Sequence, residues 1–403
     1  MAKITILGCG MVGSAMAKDL SREHQVLATD IDEQALKPLA AVHNIQTRSL
    51  NVTDVETLQS TIAPCDLVIN AVPGFLGFST LKHCIEAGKN VVDIAFYPQD
   101  ALSLDALARG KNVTAIVDMG VAPGMSNLIL GYHNERMALR EFSCYVGGLP
   151  KVRRWPFYYK APFSPLDVIE EYTRPARLMQ NGRVVEKPAL SDRELMEFDR
   201  VGTLEAFNTD GLRSLLTTMG HIPDMVEKTL RYPGHAELIQ ALIHSGFFQE
   251  KELTVNGQRI APLSLTSELL RRQWQLQPGE KEFTVMRIAV AGSDHTQNQI
   301  THHQITHDQI THDQSTHNQI TLNNQTRRVV YDLYDEFDEA TQTTSMARTT
   351  GYTCTAAANL VLSGRYTHPG ISPPEYVGKD AACFDFILDY LRQRGIDYRA
   401  TAA

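Results

Sequence analysis

Gly8-Cys9-Gly10-Met11-Val12-Gly13 is the stretch that decides the fold. It follows an apolar run, Lys3–Leu7, and opens Met11–Leu20, whose spacing predicts a helix. In G-x-G-x-x-G, Gly8 permits the tight turn and Gly10 lets the backbone approach a diphosphate held at the helix N-terminus. Gly13 allows close helix–strand packing. A second apolar run ends at Asp30, 22 residues after Gly8. A carboxylate there accepts hydrogen bonds from the adenosine ribose and repels a 2′-phosphate. The pattern predicts a nicotinamide dinucleotide held by Gly8, Gly10, Met11, Val12, Gly13 and Asp30. NAD is expected before NADP, with Asp32 able to share the role. A solvated turn carboxylate is the plainer reading of Asp30.

The runs that follow keep the alternation of strand and helix typical of parallel βαβ units. Strands are expected at Gln25–Ile31, Ile45–Leu50, Asp66–Val72, Asn90–Ala95 and Val113–Val117, with helices such as Leu76–Ala87 between them. After Gly124 the rhythm changes. "RLMQNGRVV" and "KELTVNGQRI" carry Asn-Gly turns, the mark of hairpins. The fold class expected is α/β, a Rossmann doubly wound parallel sheet followed by an α+β mixed-sheet domain. Residues 1–124 are expected to form the first domain and 125–350 the second, followed by a C-terminal segment, 351–403, with helices at Cys354–Ser363 and Cys383–Arg394. In such sheets the ligand lies outside the carboxyl ends of the strands. Val72 and Pro73, Asp93-Ile94-Ala95-Phe96 and Asp118–Asn127 are therefore expected to border the nicotinamide. Pro123 suits a first helical turn.

Of 403 residues, 43% are hydrophobic and 21% charged, enough apolar content for sizeable cores. The formal net charge of −8, with no basic stripe, argues against nucleic acid as a partner. No apolar run reaches the roughly 20 residues that span a bilayer. The N-terminus lacks signal-peptide architecture. The six cysteines are scattered without a Cys-x-x-Cys pair, so neither a disulfide framework nor a zinc site is expected. These features point to the cytoplasm and to no metal. One segment stands apart: from His295 to Thr326, Thr recurs every five residues and six of the fourteen histidines gather. Lying between two strand-like runs, it reads as a hairpin-loop insert without a role in the chemistry. A metal-binding or interaction tract is the alternative.

The opening glycine motif and "DMGVAPGMSN" at 118–127 resemble the saccharopine dehydrogenase (glutamate-forming) family. So do "YVGGLP" at Tyr145–Pro150, the stretch Tyr158–Ala176, "LEAFNTDGL" at Leu204–Leu212, "KTLRYPGH" at Lys228–His235, "MARTTGYT" at Met346–Thr353 and "GISPPEYVG" at Gly370–Gly378. The resemblance implies a homodimeric NAD(P)-dependent oxidoreductase acting on a carbon–nitrogen bond of an amino acid or amine, with residues 351–403 returning to the first domain. Saccharopine reductases of the family carry Ser-Tyr where this chain has Ala95-Phe96, and an acidic residue where it has Ala122. "GVAPGM" is closer to lysine 6-dehydrogenase. A carboxynorspermidine-type dehydrogenase and a catalytically silent dinucleotide-binding scaffold are the alternatives.

Amine oxidation needs a cation for a substrate carboxylate, acceptors for the amine and a proton relay. Arg231 is the expected carboxylate clamp, as the family's substrate-binding arginine implies, with Arg213 second; a structural ion pair is the competing reading for each. Asp93 and Asp118 end buried strands and therefore need a functional partner or a turn to cap. Asp210 is a candidate for the substrate amine or an Asx-type turn with Gly211. Lys160 is a candidate proton relay or a packing residue, and His235 a base poised near neutrality or a structural histidine.

Overall fold

Ile4, Ile6 and Leu7 of the first strand are buried, as are all four residues of Leu67–Asn70, because this sheet is covered on both faces. The computed structural model describes residues 1–161, 165–277, 279–294 and 326–402, without the side chains of 165–167. The first domain contributes β1 (Lys3–Leu7), β2 (Gln25–Asp30), β3 (Ile45–Ser49), β4 (Leu67–Asn70), β5 (Asn90–Asp93) and β6 (Thr114–Ile116). They pair in parallel in the order 6-5-4-1-2-3, the doubly wound arrangement that the sequence predicts. A seventh strand, Gly370–Ser372, extends the sheet beside β6 from the far end of the chain.

The second sheet is mixed. Its strands are β7 (Met137–Pro150), β8 (Ala176–Gln180), β9 (Arg183–Lys187), β10 (Glu194–Phe198), β11 (Gly202–Asn208) and β12 (Asp224–Arg231). A small separate hairpin, β13 (Leu253–Val255) and β14 (Gln258–Ile260), precedes β15 (Glu282–Asp294) and β16 (Arg327–Glu336). β12 lies parallel to β7, and β15 runs antiparallel to both β7 and β16, between which it lies. Both Asn-Gly turns join hairpins, as their chemistry predicts. β15 and β16 pair up to Gly292 opposite Arg327, so the threonine-periodic insert joins two hairpin strands. Apart from Thr326, that insert lies outside the described residues.

The glycine motif opens helix α1 (Met11–Leu20), against which the long helix Ser345–Leu362 packs. This helix begins nine residues before the Cys354–Ser363 stretch that periodicity suggests, and it runs across residues 350 and 351. Its run of threonines and a glycine has weak intrinsic helicity, which packing overrides. At its start the Thr344 hydroxyl accepts the Ala347 N–H, and the buried Glu282 carboxylate accepts those of Ser345 and Met346. Asp19 of α1 is buried against the returning segment: its carboxylate pairs with Arg394 Nε at 2.7 Å and accepts hydroxyls from Thr355 and Tyr390, each at 2.7 Å. The last strand, Arg399–Ala402, pairs with β16. The returning segment thus completes both sheets. No described helix is long and apolar enough to cross a membrane.

Candidate functional site

A single cleft of about 1030 Å³ runs from the glycine turn, past the carboxyl ends of β4, β5 and β6, to the inner face of β12. At its first end, Gly8 holds φ +91, and a Cβ there would lie 2.5 Å from Ala71 O. A Cβ on Gly13 would lie 2.0 Å from Gly8 O, whereas one on Gly10 would meet no atom within 4 Å. Gly8 and Gly13 thus serve packing, and Gly10 faces open space beside the N-terminus of α1. Helices leave their first N–H groups without an intrahelical partner. Backbone approach, free amides and the helix dipole together fit a diphosphate. Asp30 fastens this turn to β2: its carboxylate accepts Cys9 N–H at 2.7 Å and Asp32 N–H at 2.9 Å. Met11, Val12, Val72 and Pro73 complete this part of the wall. Gly10→Ala should therefore fold normally yet lose tenfold or more in nucleotide affinity, roughly 1.4 kcal/mol. Gly13→Ala should instead lower the melting temperature; calorimetry and thermal denaturation separate the two.

In the middle of the cleft, Asp118 and Arg213 form a buried ion pair, Nε to Oδ2 at 2.9 Å, while Arg213 Nη1 donates to Tyr97 O at 2.7 Å. Both residues hold left-handed backbone, φ +53 and +47, a strain that surrounding contacts must sustain. Asp118 is on the cleft wall, but the Arg213 guanidinium is committed behind it. Asp93 is off the wall. It caps the turn after β5, accepting Ala95 N–H at 2.7 Å and Asn70 Nδ2–H at 2.9 Å. Burial, reinforced by Asp118 and opposed by those two bonds and by Arg213, pushes its carboxyl up to about 8. Helix Met125–Asn134 starts after Pro123, with Gly124 at φ +138 as its cap, so the proline precedes the first turn rather than entering it.

At the far end β12 presents Glu227, Thr229 and Arg231 to the cleft, every second residue, while Lys228 turns away to Glu194. The Arg231 side chain is 4% exposed. Its Nε donates to Tyr172 Oη at 3.0 Å and Nη1 to Leu230 O at 2.9 Å, with the Glu171 carboxylate 3.4 Å from Nη2. Tyr172 is 2.9 Å from His235 Nε2, and His235 Nδ1 is 2.8 Å from Phe157 O. A carbonyl only accepts, so Nδ1 carries the proton, Nε2 accepts the Tyr172 hydroxyl, and the hydroxyl oxygen is left facing Arg231. Burial, then the Arg231 charge, pulls the His235 pKa down to about 3 against that carbonyl bond. The expectation of a base poised near neutrality is corrected here: His235 is held neutral, behind Arg231 and off the cleft wall.

Asp210 lies on the wall, but Arg177 grips its carboxylate through Nε and Nη2, both at 2.9 Å. Lys160 is off the wall, donating to Gln275 O at 3.1 Å and facing Glu280 at 3.5 Å. Sequence reasoning missed Glu227, Glu171 and Thr229. The signal was present in the two-residue period of "EKTLR", which carries Glu227 and Thr229 to the face of Arg231. Thr229 shares a 2.9 Å contact with the hydroxyl of Thr209, also on the wall.

Residues 4–116 match the family pattern described as the saccharopine dehydrogenase NADP binding domain, and residues 120–396 the saccharopine dehydrogenase C-terminal domain. Among curated relatives, alpha-aminoadipic semialdehyde synthase of Arabidopsis thaliana is 25% identical over 300 residues, covering 68% of this chain and 28% of its own length. The mitochondrial enzyme of that name from Mus musculus is 26% identical over 279 residues, covering 65% and 30%. Saccharopine dehydrogenase [NADP(+), L-glutamate-forming] of Schizosaccharomyces pombe is 25% identical over 268 residues, covering 62% and 59%. The chain thus spans less than a third of the first two and over half of the third. Among solved structures, apo saccharopine dehydrogenase (L-Glu forming) of Saccharomyces cerevisiae superposes with a TM-score of 0.77 at 18% identity, covering both chains fully. Homospermidine synthase of Legionella pneumophila in complex with NAD gives 0.63 at 13% identity, covering 100% of this chain and 91% of that one. These two share the fold. With the two family patterns accounting for nearly the whole sequence, the chain belongs to the saccharopine dehydrogenase family.

Proposed function

We propose that this chain is an NAD-dependent oxidoreductase acting on a carbon–nitrogen bond of an amino acid or amine. The observation that carries the reading is the continuity of one cleft from Asp30 and the glycine turn to the buried Arg231. A nicotinamide dinucleotide bound there supplies the hydride acceptor or donor. The chain's part is to hold the diphosphate at Gly10 and α1, the ribose at Asp30, and a substrate carboxylate at Arg231. Thr209, Thr229 and Glu227 offer polar contacts to the nitrogen-bearing end.

Several relatives carry NADP(+) in their names. Here the adenosine end has the Asp30 carboxylate, and the cationic residues on the described cleft wall, Arg231 and Arg271, are both at the other end. A 2′-phosphate beside Asp30 would meet repulsion without compensation. Asp30→Ala should raise KM for NAD by roughly tenfold or more while KM for NADP stays level or falls, a loss of about 1.4 kcal/mol per decade. Steady-state kinetics with both nucleotides measure it, and an unchanged preference rejects the assignment.

At the substrate end Arg177 already neutralises Asp210 and Glu171 lies against Arg231, which leaves Glu227 as the uncommitted acceptor on the described wall. One such acceptor beside one buried arginine fits a substrate that brings an amine together with a carboxylate, such as a dibasic amino acid or a carboxylated polyamine. Phe96 and Ala122 line the cleft without polar atoms in their side chains. NAD reduction across lysine, saccharopine and carboxypolyamines tests the reading; silence of a folded, nucleotide-binding protein with every amine rejects it in favour of a silent scaffold. The family resemblance supports a homodimer, and the scattered, unpaired cysteines support a reducing cytoplasm; sedimentation and cell fractionation test the two.

A further inference from the structure

Five carboxylates face the described part of the cleft: Asp30, Asp118, Glu171, Asp210 and Glu227. Four are committed. Asp30 takes two backbone N–H groups, Asp118 pairs with Arg213, Asp210 with Arg177, and Glu171 with Arg231. The Glu227 side chain has no hydrogen-bond or ion-pair partner among the described residues, although its residue is buried to 8% exposure. Burying a carboxyl without a partner is costly, so its retention calls for a use. Its position depends on Gly211: a Cβ at 211 would lie 1.5 Å from Glu227 Oε2.

We propose that Glu227 is the acid/base of the reaction, a reading that rests on the function proposed above. In the oxidative direction its carboxylate removes one proton from the substrate ammonium, leaving a neutral amine. The C–H electron pair then passes to the oxidised dinucleotide, which is reduced by two electrons, while the nitrogen lone pair closes the C=N bond. Water adds to that iminium carbon. One water proton goes to solvent on addition, and the Glu227 carboxyl returns its proton to the nitrogen. As the carbon–nitrogen bond breaks, the remaining hydroxyl proton passes to the departing nitrogen, giving a carbonyl and the protonated amine or ammonium. In the reductive direction the protonated carboxyl is the competent form.

The surroundings favour a carboxyl that shuttles. Glu171 from helix Pro165–Thr173, Asp210 and Arg213 from the loop after β11, and Cys144 from β7 face Glu227, with Thr229 and Arg231 along its own strand. Burial first, then the Glu171 and Asp210 charges, pushes the carboxyl up to about 8 against the pull of Arg213. A general base or acid works best with its pKa near the working pH. Oxidation should therefore quicken, and reduction slow, as pH rises through about 8.

The test is Glu227→Gln in the full chain, assayed in both directions over pH, with nucleotide calorimetry and infrared titration of the carboxyl C=O band. Expected are a kcat loss of about 10²–10⁴-fold, disappearance of the limb near 8, unchanged nucleotide heat, and loss of a band that titrates in the parent. Gly211→Ala, whose methyl displaces the carboxyl without removing it, should lower kcat and move the limb rather than abolish it. Turnover or a pH limb surviving E227Q, or a parent without the band, overturns this assignment alone. A parent that reduces neither nucleotide with any amine overturns the functional reading and this proposal together.

Discussion

Arg231→Ala should lower kcat/KM for a carboxylate-bearing amine by roughly 10²–10³-fold while leaving nucleotide affinity unchanged. The guanidinium is buried, its Nε is spent on Tyr172 and one Nη1 proton on Leu230 O, and the fork faces the cleft. Removing one member of a buried, hydrogen-bonded charge pair costs about 2–5 kcal/mol, because the other charge stays behind without compensation. Here the charges left behind are the substrate carboxylate and Glu171, 3.4 Å from Nη2, so affinity for substrate falls and the vacated site turns repulsive to a carboxylate. Arg231→Lys keeps the charge and forfeits the fork, and should recover only part of the loss. Steady-state kinetics beside nucleotide calorimetry make the measurement; an alanine variant with parental kcat/KM removes Arg231 from substrate binding. The same variant carries an internal check. The Arg231 charge helps depress the His235 pKa, so that pKa should climb from about 3 in the variant, as NMR titration of the imidazole can follow.

Asp19→Ala should be the most damaging substitution for stability, at about 3–5 kcal/mol. The Asp19 side chain is fully buried, that of Arg394 is 11% exposed, and Thr355 and Tyr390 donate to the same carboxylate. Taking the carboxylate away leaves a guanidinium in the interior with its Nε partner gone. The urea midpoint should fall with little change in slope. Asp19→Leu with Arg394→Met, which removes both charges, should regain much of the loss, since buried pairs are often replaceable by packed apolar groups. A single variant whose unfolding free energy lies within about 0.5 kcal/mol of the parent would refute the role assigned to this pair.

The parallel sheet was legible because local signals agree: apolar runs, a glycine turn and an acidic strand end lie within thirty residues of one another. The Asn-Gly hairpins were legible for the same reason. Much of the chemistry was not. Arg213 meets Asp118 across 95 residues, Lys160 meets Gln275 across 115, and His235 meets Phe157 across 78. No periodicity carries partners over such distances, so residue type alone suggested clamps and bases where the fold makes internal ties. The early start of helix Ser345–Leu362 was hidden by Thr349, Thr350 and Gly351, whose low propensity is outweighed by contact with α1; Gly351 itself sits where a Cβ would lie 3.1 Å from Met16 Cγ. Glu227 was within reach, because its register follows from Arg231 by alternation alone.

The strand Gly370–Ser372 has a consequence for how the molecule is made. The edge of β6 is closed by residues that leave the ribosome about 250 positions later, some ten to fifty seconds at ordinary elongation rates. Until then the nascent nucleotide-binding lobe exposes a bare parallel edge and lacks the helix that backs α1, two features that invite wrong pairing. Shielding by a chaperone during that interval, rather than any weakness of the finished protein, should set the yield of expression.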